Sequence, residues 1–423
     1  LNPRVQFDVV VAGGGTAGCV VAARLSEDPG RSVCLVEAGP DYGPFEGGRW
    51  PDDLLDGTRL ALSHAWETER EDRSQLRARV LGGCSAHNAC IALRGAVSDY
   101  EWAEGWSYRS LEPYFERVES TLRVRTLARA ELTPWHAAWA DAAGVDAILH
   151  PVNMVGEVRW NAAFAYFDPA RTRPNLTIFA DTLVDRIEGD KVVTGRGEIQ
   201  ARTIVLAAGA YGSPAILLRS GLGPPVGENL RDHVGAGIGW EPTDELIEEV
   251  GAVPMAQVSI RLRDGDLFLF PALDPGPEIS AAAFAMKPHS TGRVRLIDRD
   301  PRTPVAIDHG FLADPADANV VAEGIEALRE LAASAWIRPY VRRELRPGPE
   351  VPARAHAHAS CRGFFHPVGT CALGIVADPD GRVRELDHVY VADASFVPEI
   401  PRANTNLTVA AVAERLADEL ALH

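Results

Sequence analysis

Lysine is nearly missing from this chain. Only Lys191 and Lys287 occur among 423 residues, so arginine supplies almost all of the 42 positive charges, and 59 acidic residues leave a formal net charge of −17. An acidic surface repels nucleic acid and anionic membrane at long range, which argues against both as partners. The arginine excess reads as codon composition rather than a basic site. No run of about eighteen apolar residues exists that could cross a bilayer as a helix, and no charged-then-apolar leader precedes the first predicted strand. The six cysteines (Cys19, Cys34, Cys84, Cys90, Cys361 and Cys371) form no CxxC pair, so free thiols in a cytoplasm are expected, with no disulfide framework and no metal site. Repeats of fixed period and low-complexity tracts are absent too. A 46% hydrophobic composition over this length predicts an ordinary globular protein of two or three structural units, monomeric or homodimeric.

The richest segment runs from Phe7 through Gly13-Gly-Gly-Thr-Ala-Gly18 to Val33-Cys-Leu-Val-Glu37. It reads as a strand, a glycine turn, a helix and a second strand ending in an acid. Gly13 permits the tight turn, Gly15 lets backbone approach a pyrophosphate, and Gly18 lets the helix pack close to the sheet. The helix N-terminus then offers free N–H groups and its positive dipole end to phosphate. Glu37 stands where a carboxylate can accept hydrogen bonds from both ribose hydroxyls of an adenosine, which disfavours NADP. These residues leave FAD and NAD both open.

Downstream, Ala38-Gly-Pro-Asp-Tyr-Gly-Pro44 must run as loop. Arg77 to Gly95 then sets Gly82-Gly83 before a Ser/His/Asn cluster, and Tyr100 to Leu122 reads as a helix with a broad aromatic face, best taken as core packing. From Asn175 to Ala208 the pattern is strands, followed by a turn at Gly209 and a helix through Leu218. The middle, about Gly235 to Cys361, holds predicted strands at Gln257–Leu262 and Gly292–Ile297 and a helix over Asp317–Ala335, but no glycine motif, and is read as a separate substrate-shaping sheet. His356 and His358 in Ala-His-Ala-His-Ala could be metal ligands; lacking a partner carboxylate cluster, they are read as a solvated loop. Finally, Val389-Tyr-Val-Ala-Asp393 reads as a strand ending in an acid, and Asn404 or Thr405 caps a helix reaching Leu420.

Four separated motifs together resemble the glucose–methanol–choline (GMC) family of FAD-dependent oxidoreductases over most of the chain. They are the Gly13 turn with Glu37; Arg79-Val-Leu-Gly-Gly-Cys-Ser-Ala-His-Asn88; Gly209-Ala-Tyr-Gly-Ser-Pro to Gly223; and His366-Pro-Val-Gly-Thr with Asp393-Ala-Ser and Asn404-Thr-Asn. The resemblance implies an α/β (α+β overall) architecture: a Rossmann-like FAD-binding domain plus a substrate domain with an antiparallel sheet and flanking helices. It assigns 1–95, 175–236 and 376–423 to the first, and 96–174 and 237–375 to the second. FAD would lie against Gly13, Gly15, Thr16, Ala17, Gly18, Glu37 and Ala38; against Gly82, Gly83, His87, Asn88 and Ala89; against the Val184 backbone and Ala208; and against Asp393, Ala394, Thr405 and Asn406. The run around His87 is most similar to choline oxidase, which implies covalent attachment of the flavin 8α-methyl group to His87. A hydrogen-bonded core histidine beside non-covalent FAD is the alternative.

The same resemblance implies oxidation of an alcohol to an aldehyde or ketone. His366 would act as base, Asn404 would hydrogen-bond the substrate oxygen, and flavin N5 would take the hydride. Oxygen or another acceptor would then reoxidise the flavin. The strand aligned with the family's carboxylate position, Val253 to Ile260, contains no acid, and Phe365 replaces a tyrosine that often precedes the histidine, with Phe364 adding bulk. A neutral apolar or aromatic alcohol is therefore expected rather than choline, whose ammonium needs a carboxylate and an aromatic cage. An FAD-containing hydroxynitrile lyase on the same fold is the alternative function. The chain is short for the family, notably between residues 120 and 175 and in the middle sheet, which implies a reduced lid.

Overall fold

The computed structural model describes residues 6–66, 76–244, 246, 254–273 and 278–422. Val253, part of the strand weighed for a substrate carboxylate, lies outside them. Two sheets organise the chain. In the first, Gln6–Ala12 pairs in parallel with Val33–Val36 on one side and with Gly197–Leu206 on the other, and Leu176–Phe179 extends the edge beyond Val33–Val36. Val389–Val391 joins in parallel beside Ile204–Leu206, while Lys191–Thr194 and Val184–Glu188 continue the sheet antiparallel. Val33 to Val36 and Val9 to Ala12 are all buried, as unbroken apolar strands of a parallel sheet covered on both faces must be. The first helix, Thr16–Leu25, packs beside the C-terminal helix, Thr405–Ala421. Residues at opposite ends of the sequence thus form one layer over the sheet.

The second sheet is antiparallel throughout, in the order Val341–Arg346, Val234–Pro242, Ile279–Ala285, Leu267–Ala272, Val258–Leu262 and Ala147–Leu149, with Arg362–Gly363 pairing the start of Val234–Pro242. It carries its own core, covered by the helix Pro315–Ala332, which buries Val321, Ile325 and Leu328. That helix starts as its sequence directs: Asp314 caps it by accepting from the Ala316 N–H at 2.8 Å, and Pro315 takes the first helical position. The strands expected at Gln257–Leu262 and Gly292–Ile297 occur at Val258–Leu262 and Arg293–Leu296, and the helix expected over Asp317–Ala335 starts two residues earlier and ends three earlier.

Three expectations change. The aromatic helix covers only Tyr108–Thr121; Val97–Asp99 is a single 3-10 turn, and Gly105 at φ +79° stops any helix before Ser107, which caps the real one by accepting from the Ser110 N–H at 3.3 Å. His356 does not sit in a solvated loop. It lies in the helix Ala353–Ser360, buried with its Nε2 2.8 Å from the Gly237 carbonyl, while His358 is exposed. Finally, Tyr100 to Leu122 and Ala162 to Ala170, expected with the second unit, contribute Tyr100, Leu111, Phe115, Val118 and Phe167 to the core of the first sheet. Among the described residues no helix is long and apolar enough to cross a membrane. All six cysteines are free, and burial pushes the Cys34 thiol up to about 12, so it packs as a small hydrophobe.

Candidate active site

Gly13 leaves its strand at φ +105°, a conformation closed to side chains, and an added Cβ would stand 2.6 Å from the Ala207 carbonyl oxygen. Gly18 is tighter still, its missing Cβ 1.8 Å from the Gly13 oxygen. The turn at Gly82-Gly83 presses on this one: the Gly82 N–H donates to the Gly14 carbonyl at 2.7 Å, and a Cβ on Gly83 would meet Gly15 Cα at 2.6 Å. Two glycine turns, seventy residues apart in sequence, therefore make one backbone cradle. Ala17 is buried within the first helix, and Thr16 at its start donates to Asn406 Oδ1 at 2.7 Å, bringing two expected cofactor residues from opposite ends of the chain together beside Thr405.

Glu37 is buried, and its two oxygens accept from Gly14 N and Gly39 N, each at 2.7 Å. Burial pushes its carboxyl up to about 7 against those two amides. The Ala38 carbonyl accepts from Arg79, and Thr182, two residues before Val184, donates its N–H to the Glu37 carbonyl at 2.8 Å. Asp393 has both oxygens engaged: one by Gly209 N and Ser213 Oγ, the other by Ser395. Its carboxylate thus ties the start of the helix beside Ala208 to the turn at Ala394. His87 differs from all of these. It is 5% exposed, and among the described residues neither ring nitrogen makes a hydrogen bond of ordinary geometry, although the Ser63 backbone bears on the ring. Burial pushes it down to about 4, so the ring is neutral with a free lone pair. A side-chain-free cradle and a neutral buried imidazole fit a dinucleotide with a reactive ring. Asn88 turns inward to accept from Cys90 N at 3.0 Å, and Ala89 abuts the apolar cluster around Phe270 and Phe364.

His366 and Asn404 meet as expected. Asn404 is the N-cap residue of the C-terminal helix, but its side chain caps nothing: Nδ2 donates to His366 Nε2 at 3.2 Å, and Oδ1 is buried without a partner. Desolvation holds His366 well below the usual imidazole range, so it is neutral at pH 7. Phe365, just before it, has φ +64°, a left-handed conformation costly for an aromatic residue and held by its surroundings. Phe364 stacks flat on Phe284 with centroids 3.9 Å apart, meets Phe270 edge-on at 4.7 Å, and lies 4.7 Å from the His366 ring.

Two partners escaped the sequence reading. Asp232 Oδ1 accepts from the His366 N–H at 3.0 Å, while Oδ2 is buried without a hydrogen bond; burial pushes this carboxyl up to about 7. His233 bridges His366 Nδ1, at 2.9 Å, and the Pro401 carbonyl, also at 2.9 Å. Their signal was an adjacent Asp-His at the entry to a strand, in a stretch with no other mark of chemistry.

A side-chain-free glycine cradle at one sheet and a neutral buried histidine beside another are features that a dinucleotide-dependent oxidoreductase requires. The N-terminal model of the GMC oxidoreductases matches residues 7–147 and 147–235, and the C-terminal model matches 288–413. The chain is 30% identical to 5-(hydroxymethyl)furfural oxidase of Methylovorus sp. (strain MP688) across 98% of each protein. It is 29% identical to choline oxidase of Arthrobacter globiformis across 98% of this chain and 94% of the other. Among solved structures, pyridoxine 4-oxidase from Mesorbium loti superposes with a TM-score of 0.85 at 26% identity over 99% of each chain. The chain belongs to the GMC oxidoreductase family. It is an FAD-dependent enzyme acting on an alcohol group. The first of those alignments spans 526 positions, more than the 423 residues present here, so it opens gaps within this chain.

Proposed function

We propose that the enzyme oxidises a neutral, apolar or aromatic alcohol to the carbonyl compound, with His366 accepting the hydroxyl proton at Nε2. The observation that carries this is the pairing of a neutral His366 Nε2 with the Asn404 amide beside an aromatic wall of Phe364, Phe284 and Phe270. Asn404 would orient the substrate oxygen and hold the alkoxide character that develops there. The segment Val253 to Ile260, aligned with the family's carboxylate position, carries no acid, which disfavours a quaternary ammonium because its charge needs such a partner. When bound, FAD supplies the two-electron acceptor for the hydrogen that leaves carbon. Glu37 and the two glycine turns would hold its adenosine diphosphate part, and the N-terminus of the C-terminal helix would face its reactive ring.

His87, buried and neutral, is proposed as the covalent anchor of the flavin. The segments around residues 1–95, 175–236 and 376–423 would form the cofactor domain, and much of the remainder the substrate domain. The relatives named above are oxidases, which favours redox chemistry over the lyase reading. Free thiols at all six cysteines are in keeping with a cytoplasmic setting. An anaerobic screen of alcohols, read by bleaching of the flavin spectrum, tests the assignment. Aromatic and aliphatic primary alcohols should bleach it and choline should not; faster turnover of choline would overturn the substrate class. Cyanide and benzaldehyde from mandelonitrile with an unchanged flavin would establish the lyase instead. Peroxide release under air identifies oxygen as acceptor, and acid precipitation that sends all flavin to the supernatant would refute the His87 linkage.

A further inference from the structure

We propose that His233 decides which nitrogen of His366 carries the proton, by relaying the polarity of the Pro401 carbonyl; the proposal rests on the reading of His366 as base. A peptide carbonyl only accepts. The His233 Nε2, 2.9 Å from Pro401 O, must therefore carry hydrogen. His233 is fully buried and neutral, its ring pushed down to about 3, so its Nδ1 is left with a lone pair. That lone pair faces His366 Nδ1 at 2.9 Å with the rings crossed at 86°, and two lone pairs at this distance would repel. His366 thus presents N–H at Nδ1. A neutral imidazole has one such hydrogen, so Nε2, the atom turned to Asn404, is the unprotonated one.

The opposite arrangement fails at its far end. Hydrogen on His366 Nε2 would require hydrogen on His233 Nδ1, and the His233 Nε2 lone pair would then confront the Pro401 oxygen. An imidazole left to itself in water favours hydrogen on Nε2, the form that could not act as base towards a substrate at Asn404. The backbone supports the same setting. Asp232 pins the His366 N–H, and Phe364 N donates to the His233 carbonyl at 3.0 Å, so neighbouring residues seat both the main chain and the ring of the base. Pro401, three residues before Asn404, lets one short segment fix the tautomer and present the substrate-facing amide. His233 is a positioning residue: it touches His366, not the alcohol.

The test is histidine-selective 15N NMR on the holoenzyme, with the His366 nitrogens identified by their loss in His366→Gln, alongside anaerobic single-turnover reduction of the flavin by the best alcohol. The wild type should show a pyridine-type Nε2 and a protonated Nδ1 on His366. His233→Leu should invert them and slow flavin reduction about 100-fold, the scale of general-base catalysis, with substrate affinity nearly unchanged. His233→Asn, whose side-chain carbonyl accepts near the place of Nδ1, should recover about tenfold of that loss. A wild-type spectrum with Nε2 protonated overturns the proposal even if the leucine variant does not fold. So does an unaltered His366 tautomer in His233→Leu, or equal rates in the leucine and asparagine variants, which would reduce His233 to packing. Unchanged turnover in His366→Gln would instead remove the base assignment, while the tautomer measurement stands apart.

Discussion

At the residue scale, the site depends on keeping one nitrogen unprotonated and one amide aimed at it. Desolvation, then the neighbouring His233 and Arg77, hold the His366 value below that of a free imidazole, near 6.5. With His366 as the proposed base the neutral form is the active one, so activity should be retained as pH falls until the depressed value is reached. The acid limb of the kcat/KM profile should accordingly lie below about 6.5; a limb at or above it would show that His366 titrates normally. Asn404→Leu keeps the helix start, since this side chain makes no cap, but removes the proposed donor to the substrate oxygen. The rate of flavin reduction should fall by about 100-fold or more, the typical loss for one such donor. The pair His366 and Asn404 was legible because each sits in its own motif. Asp232 and His233 were not, because their importance arises from a contact across 133 and 134 residues of chain that no local pattern records.

At the scale of elements, sequence read the strands well and the helix starts and breaks poorly. Apolar runs at Val9–Ala12, Val33–Val36 and Ile204–Leu206 declare a buried sheet, whereas the helix expected from Asp317 in fact starts at Pro315. The false helix over Tyr100–Ser107 arose because Trp102 and Trp106 stand one helical turn apart ahead of the real helix, although Gly105 at positive φ stops the helix there. His356 was misread for a related reason: a histidine-alanine alternation looks polar, but in the helix Ala353–Ser360 one histidine faces the sheet and the other faces solvent. Close approach decides a further case. Gly324, mid-helix in Pro315–Ala332, is where propensity alone favours alanine by about 1 kcal/mol. Its Cβ, however, would lie 2.5 Å from Ala283 Cβ and 2.7 Å from a Leu267 methyl, on a sheet that cannot retreat without disturbing its ladder. Overpacking of this kind costs about 1–3 kcal/mol, so Gly324→Ala should lower the denaturation midpoint rather than raise it. A raised midpoint in guanidinium would show that the helix shifts freely over the sheet.

For the whole molecule, the main unpredictability was which segments share a core. The C-terminal helix closes on the first one through Thr16–Asn406 and through Glu414, a fully buried carboxylate held by Arg24 at 2.8 Å and Arg117 at 3.0 Å, and nothing in either segment announces the other. The second core region also encloses histidines that burial keeps neutral. His136 and His150, in the second core region, are pushed by burial to about 3 and about 4. A folded value below the unfolded one, near 6.5, means that each gives its full stability above about 6.5 and loses it as pH falls towards the folded value. Glu37 and Asp232, raised to about 7, run the other way: the folded chain holds their protons through the range where the unfolded chain releases them. These opposed terms blur the total slope, so the clean observable is a difference. His150 donates from Nδ1 to the Ala256 carbonyl at 3.1 Å, a bond that an asparagine amide can supply from nearly the same place without titrating. His150→Asn should cost some stability at pH 7.5 through lost volume. Its deficit should then shrink by about 1.4 kcal/mol for each pH unit below about 6.5, until near pH 4 the variant matches or exceeds the wild type. Urea midpoints for the two proteins measured at about pH 7.5, 6.5, 5.5 and 4.5, which bracket the window, decide it: a deficit constant with pH would mean that His150 reaches protons in the folded state as easily as in the unfolded one.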